Sequence, residues 1–165
     1  MRSASKRLVV FAGLLAAPVA TKVDKPVLPQ PLTTTEDPRL VRLKQFLADR
    51  ECPIDKYAAD LIRAADDNYL DWRLLPSISF VESSGGKYFQ NNNVFGWNSC
   101  KEPRFSSVRE GIHYVASMLG NSDLYKRKTL DAVLRTYNPE EGYPALVKSV
   151  MKAISATELP GPVVN

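Results

Sequence analysis

The sequence is poor in the residues on which many enzyme chemistries depend. It has one histidine, His113, and two cysteines among 165 residues, and no cluster of acids or cysteines surrounds His113 at metal-ligand spacing. A Gly-rich phosphate loop after a strand and a Gly-X-Ser-X-Gly elbow are both missing, which argues against nucleotide-binding and serine-hydrolase folds. We therefore expect neither a metal ion nor another cofactor.

Long apolar runs are equally scarce, and the one that occurs is near the amino terminus. Residues 1–7 include three basic residues and no acid, and residues 8–17 are apolar throughout. The run is shorter than the roughly 20 residues that a bilayer span requires, so it predicts a secretory signal over residues 1–20 rather than a retained anchor. We expect a secreted or periplasmic protein with no membrane span once the signal is removed.

The charge balance gives no indication of a nucleic-acid partner. The chain has 22 Lys and Arg residues, and removing the three in residues 1–20 leaves 19 against 18 Asp and Glu. A chain so close to neutral lacks the basic excess of nucleic-acid-binding domains. We expect a monomer.

The two cysteines predict a disulfide in an exported protein. Cys52 and Cys100 are an even pair, and an oxidising compartment favours their pairing. The alternative is two separate buried thiols.

The remaining chain divides by composition into three parts. Residues 21–38 are rich in Pro and Thr, which is typical of an extended linker. Residues 39–157 contain apolar positions at helical spacing and predict one domain, and residues 158–165 predict a C-terminal tail. No series of strands is indicated, so the predicted fold is all-α.

Six helical segments are predicted from apolar periodicity and capping signals. They lie at about 38–50, from 53 or 55 to about 67, from a cap at Asp71 to Gly85, from a capping box at Ser107 to about 120, at 129–136 and at 142–156. Between residues 85 and 103 the chain is rich in Asn and Gly, which indicates an irregular loop or a short hairpin.

Glu82 is the candidate general acid. It falls in the last turn of the third predicted helix, on the face that carries Leu75 and Ile78, so its carboxyl group should be partly desolvated. Burial and the helix dipole both favour the protonated form, as a general acid requires. The alternative is a solvated residue at a helix end.

Two neighbouring segments resemble the glucosaminidase family of autolysins and flagellar muramidases, which is lysozyme-like and related to lytic transglycosylases. They are residues 74–86, with Glu82-Ser83 near the end, and residues 91–97, with Asn92-Asn93-Val94-Phe95-Gly96. The resemblance implies a lysozyme-like fold with the loop beside the Glu82 helix. It also implies that Glu82 is the catalytic acid and that Ser83, Asn92 and Asn93 line a glycan cleft.

The resemblance continues more loosely to about residue 155. Tyr137-Asn138 is similar to the Tyr-Asn step of soluble lytic transglycosylases, which implies a catalytic role for Tyr137 and a sugar contact for Asn138. Tyr143 corresponds to the second of the family's late tyrosines, which implies a substrate contact for Tyr143 as well. In the loop, Trp97 and Phe95 are candidates for stacking on sugar rings, although Phe95 could equally anchor the loop.

The sequence departs from the family because the segment after Glu82 lacks a clear second acid, and Glu102 is the one carboxylate nearby. The prediction is a peptidoglycan hydrolase that cleaves β-1,4 links between N-acetylated amino sugars. A lytic transglycosylase using Glu82 alone, substrate-assisted hydrolysis, a non-catalytic glycan-binding or scaffold domain and a helical interaction domain remain as alternatives.

Overall fold

Helices dominate the residues described by the computed structural model, which are 36–101 and 103–158. The six α-helices of this part are α1 Pro38–Ala48, α2 Ala58–Asp67, α3 Leu74–Ser83, α4 Val108–Asn121, α5 Leu130–Tyr137 and α6 Tyr143–Ala156. A 3-10 segment, Pro53–Tyr57, precedes α2, and Trp97–Cys100 forms a short turn in which residues 98–100 have left-handed backbone angles. The all-α prediction is confirmed, since one isolated Gln90–Asn93 bridge is the β pairing found here.

The helices begin where the local sequence supplies a cap. The Asp37 carboxylate accepts the Arg39 N–H at 2.8 Å, and Pro38 occupies the first turn of α1, where its missing N–H is not needed. At α4 the Ser107 hydroxyl accepts the Glu110 N–H at 3.1 Å, as predicted. These contacts explain why the predicted starts of both helices agree with the structure.

Helix α3 passes through the core and carries Glu82 in its last turn, as predicted. Its residues 74–79 are all buried, and it packs against α2 and α6. The helix ends where Ser84, Gly85 and Gly86 adopt left-handed backbone angles, with φ of 54°, 67° and 84°. The chain therefore turns sharply just after Glu82 and enters the loop of residues 84–107.

The predicted disulfide is wrong, because Cys52 and Cys100 are both free thiols. Cys52 is buried under the end of α3, where a Cβ added to Gly85 would lie 2.5 Å from its sulfur atom. Cys100 is half-buried and lies in the loop that lines the cleft described below. The two cysteines thus pack in different surroundings.

Several predictions concern residues outside this part of the chain. The signal of residues 1–20, the linker as far as residue 35 and the tail from residue 159 are among the residues not described. None of the helices in the described part has the length and apolarity that a membrane span requires.

Candidate active site

A cleft of about 730 Å³ opens beside the end of α3. Its walls come from four segments: the last turn of α3, the loop 96–100, the turn after α4 and the end of α5. The lining residues are Glu82, Gly96, Trp97, Asn98, Ser99, Cys100, Leu124, Tyr125, Tyr137, Asn138 and Pro139. Four of the predicted site residues, Glu82, Trp97, Tyr137 and Asn138, therefore lie together around one cleft.

Glu82 is half-buried at this cleft, and the backbone of Gly96 lies against it. Gly96 has a φ of 61°, and a Cβ at this position would lie 2.6 Å from Glu82 Oε2. Desolvation raises the pKa of Glu82, the negative charge of Glu140 raises it further, and the Tyr143 hydroxyl opposes both by lowering it. The net direction is upward, which favours a protonated Glu82.

Tyr143 is buried behind Glu82 rather than facing the cleft. Its side chain is 4% exposed, so the predicted sugar contact is wrong. Its hydroxyl interacts with the Glu82 carboxyl group but has no partner of ordinary hydrogen-bond geometry among the described residues. A buried phenol beside the half-buried carboxyl group of Glu82 is placed to support Glu82 from the core side.

Tyr137 joins the Glu82 side of the cleft to the loop. Its hydroxyl donates a hydrogen bond to the Phe95 carbonyl oxygen, and its ring stacks on Tyr143 with centroids 6.0 Å apart and planes at 7°. Burial, together with the charges of Tyr143 and Glu82, raises the pKa of Tyr137 well above its usual value. Tyr137 therefore remains protonated and positions the loop while one part of it lines the cleft.

The Asn-Phe motif of the loop has a structural role. Phe95 is completely buried, so its predicted stacking on sugar is wrong and the loop-anchor alternative describes it correctly. Asn93 is 1% exposed, and its side-chain amide makes three hydrogen bonds to the backbone of the loop. Its Oδ1 accepts the N–H groups of Phe95 at 3.2 Å and Trp97 at 3.1 Å. Its Nδ2 donates to the Trp97 carbonyl oxygen at 2.8 Å. The predicted sugar contact of Asn93 is also wrong, because these bonds occupy its amide.

Ser83 and Asn92 are likewise used by the fold. The buried Ser83 hydroxyl lies 2.7 Å from the Val94 carbonyl oxygen and accepts the Gly86 N–H at 3.0 Å. Asn92 donates to the Phe105 carbonyl oxygen at 2.8 Å and lines a separate groove near Pro53. Neither residue lines the Glu82 cleft, so their predicted substrate contacts are not supported by the structure.

Aromatic rings form much of the remaining wall. Trp97 is half-buried, and its ring lies 5.9 Å from that of Tyr125 and 5.7 Å from that of Tyr137. Leu124, at 55% exposure, and Pro139 add apolar surface. The sequence analysis did not identify Leu124 and Tyr125 as site residues. Trp97 was identified because it is an aromatic residue in a polar stretch, and the same signal applies to Tyr125.

Backbone strain is concentrated where the loop meets the cleft. Asn98, Ser99 and Cys100 all have left-handed backbone angles, with φ of 49°, 52° and 58°. Each such residue other than glycine costs on the order of 1 kcal/mol, and strain of this kind is common at functional sites. These three residues of the loop therefore lower the free energy of unfolding of the protein.

A second carboxylate was also missed. Glu140 follows the cleft-lining residues Asn138 and Pro139 and is exposed, and its charge acts on Glu82. Glu102, the candidate from sequence, lies outside the described residues. Among those residues, no group of three His, Cys, Asp or Glu side chains is arranged to hold a metal ion.

Comparison with known proteins gives no assignment: no protein-family model matches the chain, and no curated protein matches it. A functional conclusion therefore depends on the geometry of the cleft.

Proposed function

We propose that the protein is an exported glycoside hydrolase that cleaves β-1,4 links between N-acetylated amino sugars of peptidoglycan, with Glu82 as the general acid. The observation that carries the proposal is a half-buried carboxyl group, with a raised pKa, on the wall of an open cleft lined by aromatic rings. A carboxylic acid that keeps its proton near neutral pH can protonate the oxygen of a leaving sugar. The other titratable side chains that line this cleft in the described part of the chain are Cys100, Tyr125 and Tyr137, and none of them is a carboxylic acid.

The cleft supplies the surfaces that a sugar chain requires. Trp97 and Tyr137 offer ring faces and edges to the C–H faces of pyranose rings, and Leu124 and Pro139 extend the apolar strip. Asn138 and Ser99 add polar side chains beside them. An apolar wall with polar groups beside it suits a polysaccharide better than a small charged metabolite.

In the chemical step, Glu82 gives its proton to the glycosidic oxygen as the bond from that oxygen to the anomeric carbon breaks. Gly96 and Tyr143 position the carboxyl group, since the first contacts it through its backbone and the second meets it from the core. Water then attacks the anomeric carbon; its oxygen and one proton become the new hydroxyl group, and its other proton returns to the Glu82 carboxylate. The products have ordinary reducing ends.

One observation favours a second candidate, a lytic transglycosylase. Glu82 is the one carboxylate that lines the cleft within the described residues. In a transglycosylase the same carboxylate, after losing its proton, takes the proton of a hydroxyl on the cleaved sugar, and that oxygen closes an anhydro ring. The two reactions differ in their products, and product analysis separates them.

The experiment uses purified peptidoglycan, the mature protein and two variants, with released fragments identified by mass. Glu82→Gln keeps the shape of the side chain and removes its proton-donating group, and Glu141→Gln changes an exposed carboxylate as the matched control. We expect fragments from the wild type and from Glu141→Gln, and a loss of at least a hundredfold with Glu82→Gln.

The ends of the fragments decide the reaction. Reducing ends identify a hydrolase and anhydro ends a transglycosylase. If the wild type releases nothing but binds peptidoglycan in a pull-down assay, and Glu82→Gln binds equally well, the enzyme proposal is overturned in favour of a non-catalytic glycan-binding domain.

A further inference from the structure

Tyr125 is buried in the wall of the cleft, but its hydroxyl group is not. The residue is 6% exposed and lines the cleft beside Leu124. Its hydroxyl makes no hydrogen bond within the described part of the chain. The buried side-chain atoms that lack a partner there are the hydroxyls of Ser77 and Tyr143, so the Tyr125 hydroxyl is reached from the cleft.

The fold fixes the rest of Tyr125. Its N–H donates to the Ser122 carbonyl oxygen at 3.1 Å, and its own carbonyl oxygen accepts the Lys128 N–H at 3.2 Å. Its ring packs against Trp97 with centroids 5.9 Å apart, and Trp97 in turn packs against Tyr137 at 5.7 Å. The hydroxyl of a buried tyrosine usually finds a hydrogen-bond partner, so a fixed ring with an unused hydroxyl at a cleft indicates a ligand contact.

We propose that Tyr125 is a specificity-determining residue of the cleft, whose hydroxyl group donates a hydrogen bond to the acetamido carbonyl oxygen of a bound amino sugar. The inference deepens the proposed function and rests on it for the identity of the ligand. It assigns to Tyr125 the recognition of the N-acetyl group, while Glu82 acts on the glycosidic oxygen.

The surroundings of the hydroxyl suit an acetamido group. Burial raises the pKa of Tyr125, so the phenol keeps its proton and can donate it to a carbonyl oxygen. Leu124, at 55% exposure, and the ring of Trp97 supply apolar surface beside it, against which the acetamido methyl group can pack. A sugar that carries a hydroxyl group in place of the acetamido group lacks both the carbonyl and the methyl.

The test measures binding, so it does not depend on turnover. Calorimetry compares a tetramer of β-1,4-linked N-acetylglucosamine with a tetramer of β-1,4-linked glucose, which has the same length and linkage and is also uncharged. Glu82→Gln is the parent protein, so that the sugar stays intact, and Tyr125→Phe or Tyr114→Phe is added to it. Tyr114→Phe is the matched control, because its ring also contacts Trp97, at 6.2 Å, but Tyr114 is not among the residues that line the cleft.

We expect the parent to bind the N-acetylated tetramer more tightly than the glucose tetramer. Tyr125→Phe should weaken binding of the N-acetylated tetramer about three- to tenfold, as the loss of one hydrogen bond implies, and should change binding of the glucose tetramer less than about twofold. Tyr114→Phe should leave both affinities unchanged. The denaturation midpoint of Tyr125→Phe should equal that of the parent, because no hydrogen bond within the protein is lost.

Several results would overturn the inference. They are an unchanged affinity of Tyr125→Phe for the N-acetylated tetramer, an equal loss for both tetramers, and a parent that binds neither. A lower denaturation midpoint for Tyr125→Phe would show that the fold uses the hydroxyl and would overturn it as well.

Failure of this inference can be distinguished from failure of the proposed function. A wild type that releases no peptidoglycan fragments, while Tyr125→Phe loses the preference for the N-acetylated tetramer, counts against the proposed hydrolysis alone. A wild type that cleaves peptidoglycan, while Tyr125→Phe keeps that preference, counts against the role of Tyr125 alone.

Discussion

The backbone of Gly96 lies directly against the carboxyl group of Glu82, with room for a hydrogen atom but not for a methyl group. A Cβ on residue 96 would stand 2.6 Å from Glu82 Oε2. The loop and the proposed acid are therefore fitted to each other at this one point, and the fit depends on the smallest side chain.

Gly96→Ala should displace the Glu82 carboxyl group and reduce peptidoglycan cleavage by about tenfold or more, because small errors in placing a catalytic group are costly. The left-handed backbone adds a loss of about 1 kcal/mol in the free energy of unfolding. Cleavage assays and chemical denaturation measure the two effects. Gly142→Ala is the control, because its φ is −76° and a Cβ there meets open space; equal activity of the two variants would contradict the prediction.

Tyr137→Phe should weaken the loop wall. The variant loses the bond to the Phe95 carbonyl oxygen and leaves that buried acceptor without its donor, at a cost of about 1–3 kcal/mol in the free energy of unfolding. Chemical denaturation measures the loss. Tyr114→Phe is the control, because Tyr114 contacts the same Trp97 ring but is partly exposed. If both variants unfold at the same denaturant concentration, the hydroxyl of Tyr137 does not stabilise the loop.

Activity and stability should respond to pH in ways set by Glu82. The acid works while protonated, so cleavage should fall as pH rises through its raised pKa. The folded protein binds this proton more tightly than the unfolded chain does, so Glu82 reduces stability progressively above its ordinary pKa of 4.5.

Glu82→Gln removes that penalty. We therefore expect its melting temperature to exceed that of the wild type by more at pH 7 than at pH 4, as measured by calorimetry. A difference that is the same at both values, or larger at pH 4, would mean that the pKa of Glu82 is not raised on folding.

The free thiols predict a selective chemical modification. Burial shields Cys52 and raises the pKa of its thiol, whereas Cys100 is half-buried in the cleft wall. A maleimide reagent should label Cys100 first in the folded protein, which peptide mass mapping detects, and the adduct should block glycan binding. A reductant should leave the melting temperature unchanged; a drop on reduction would show that the two cysteines are bonded after all.

The helices could be predicted because their signals are local. Apolar residues repeat at helical spacing in all six, and Asp37, Ser107 and the Gly85-Gly86 pair mark boundaries that the structure confirms. The position of Glu82 followed from the same periodicity. Each of these features depends on a few residues that are close together in the chain.

The cleft could be predicted only in part, because its walls come from segments far apart in sequence. Asn93 and Phe95 have the composition of a binding loop, yet both side chains are buried, and the chain adopts left-handed angles at Gly96 and Asn98 just after them. Leu124 and Tyr125 line the cleft from the turn after α4. Their roles depend on tertiary contacts that no local pattern contains.

Hydrogen bonds from the side chains of Asn93, Ser83 and Tyr137 hold one wall of the cleft in its conformation without help from a ligand. Five hydrogen bonds from these three side chains fix residues 94–97, so binding does not have to order them and does not lose conformational entropy there. On the proposed function, a glycan strand should accordingly bind to a cleft whose wall is already formed. The rate at which a glycan strand associates should then be set by its diffusion and by how well it fits the cleft. Closure of the loop should contribute little to that rate.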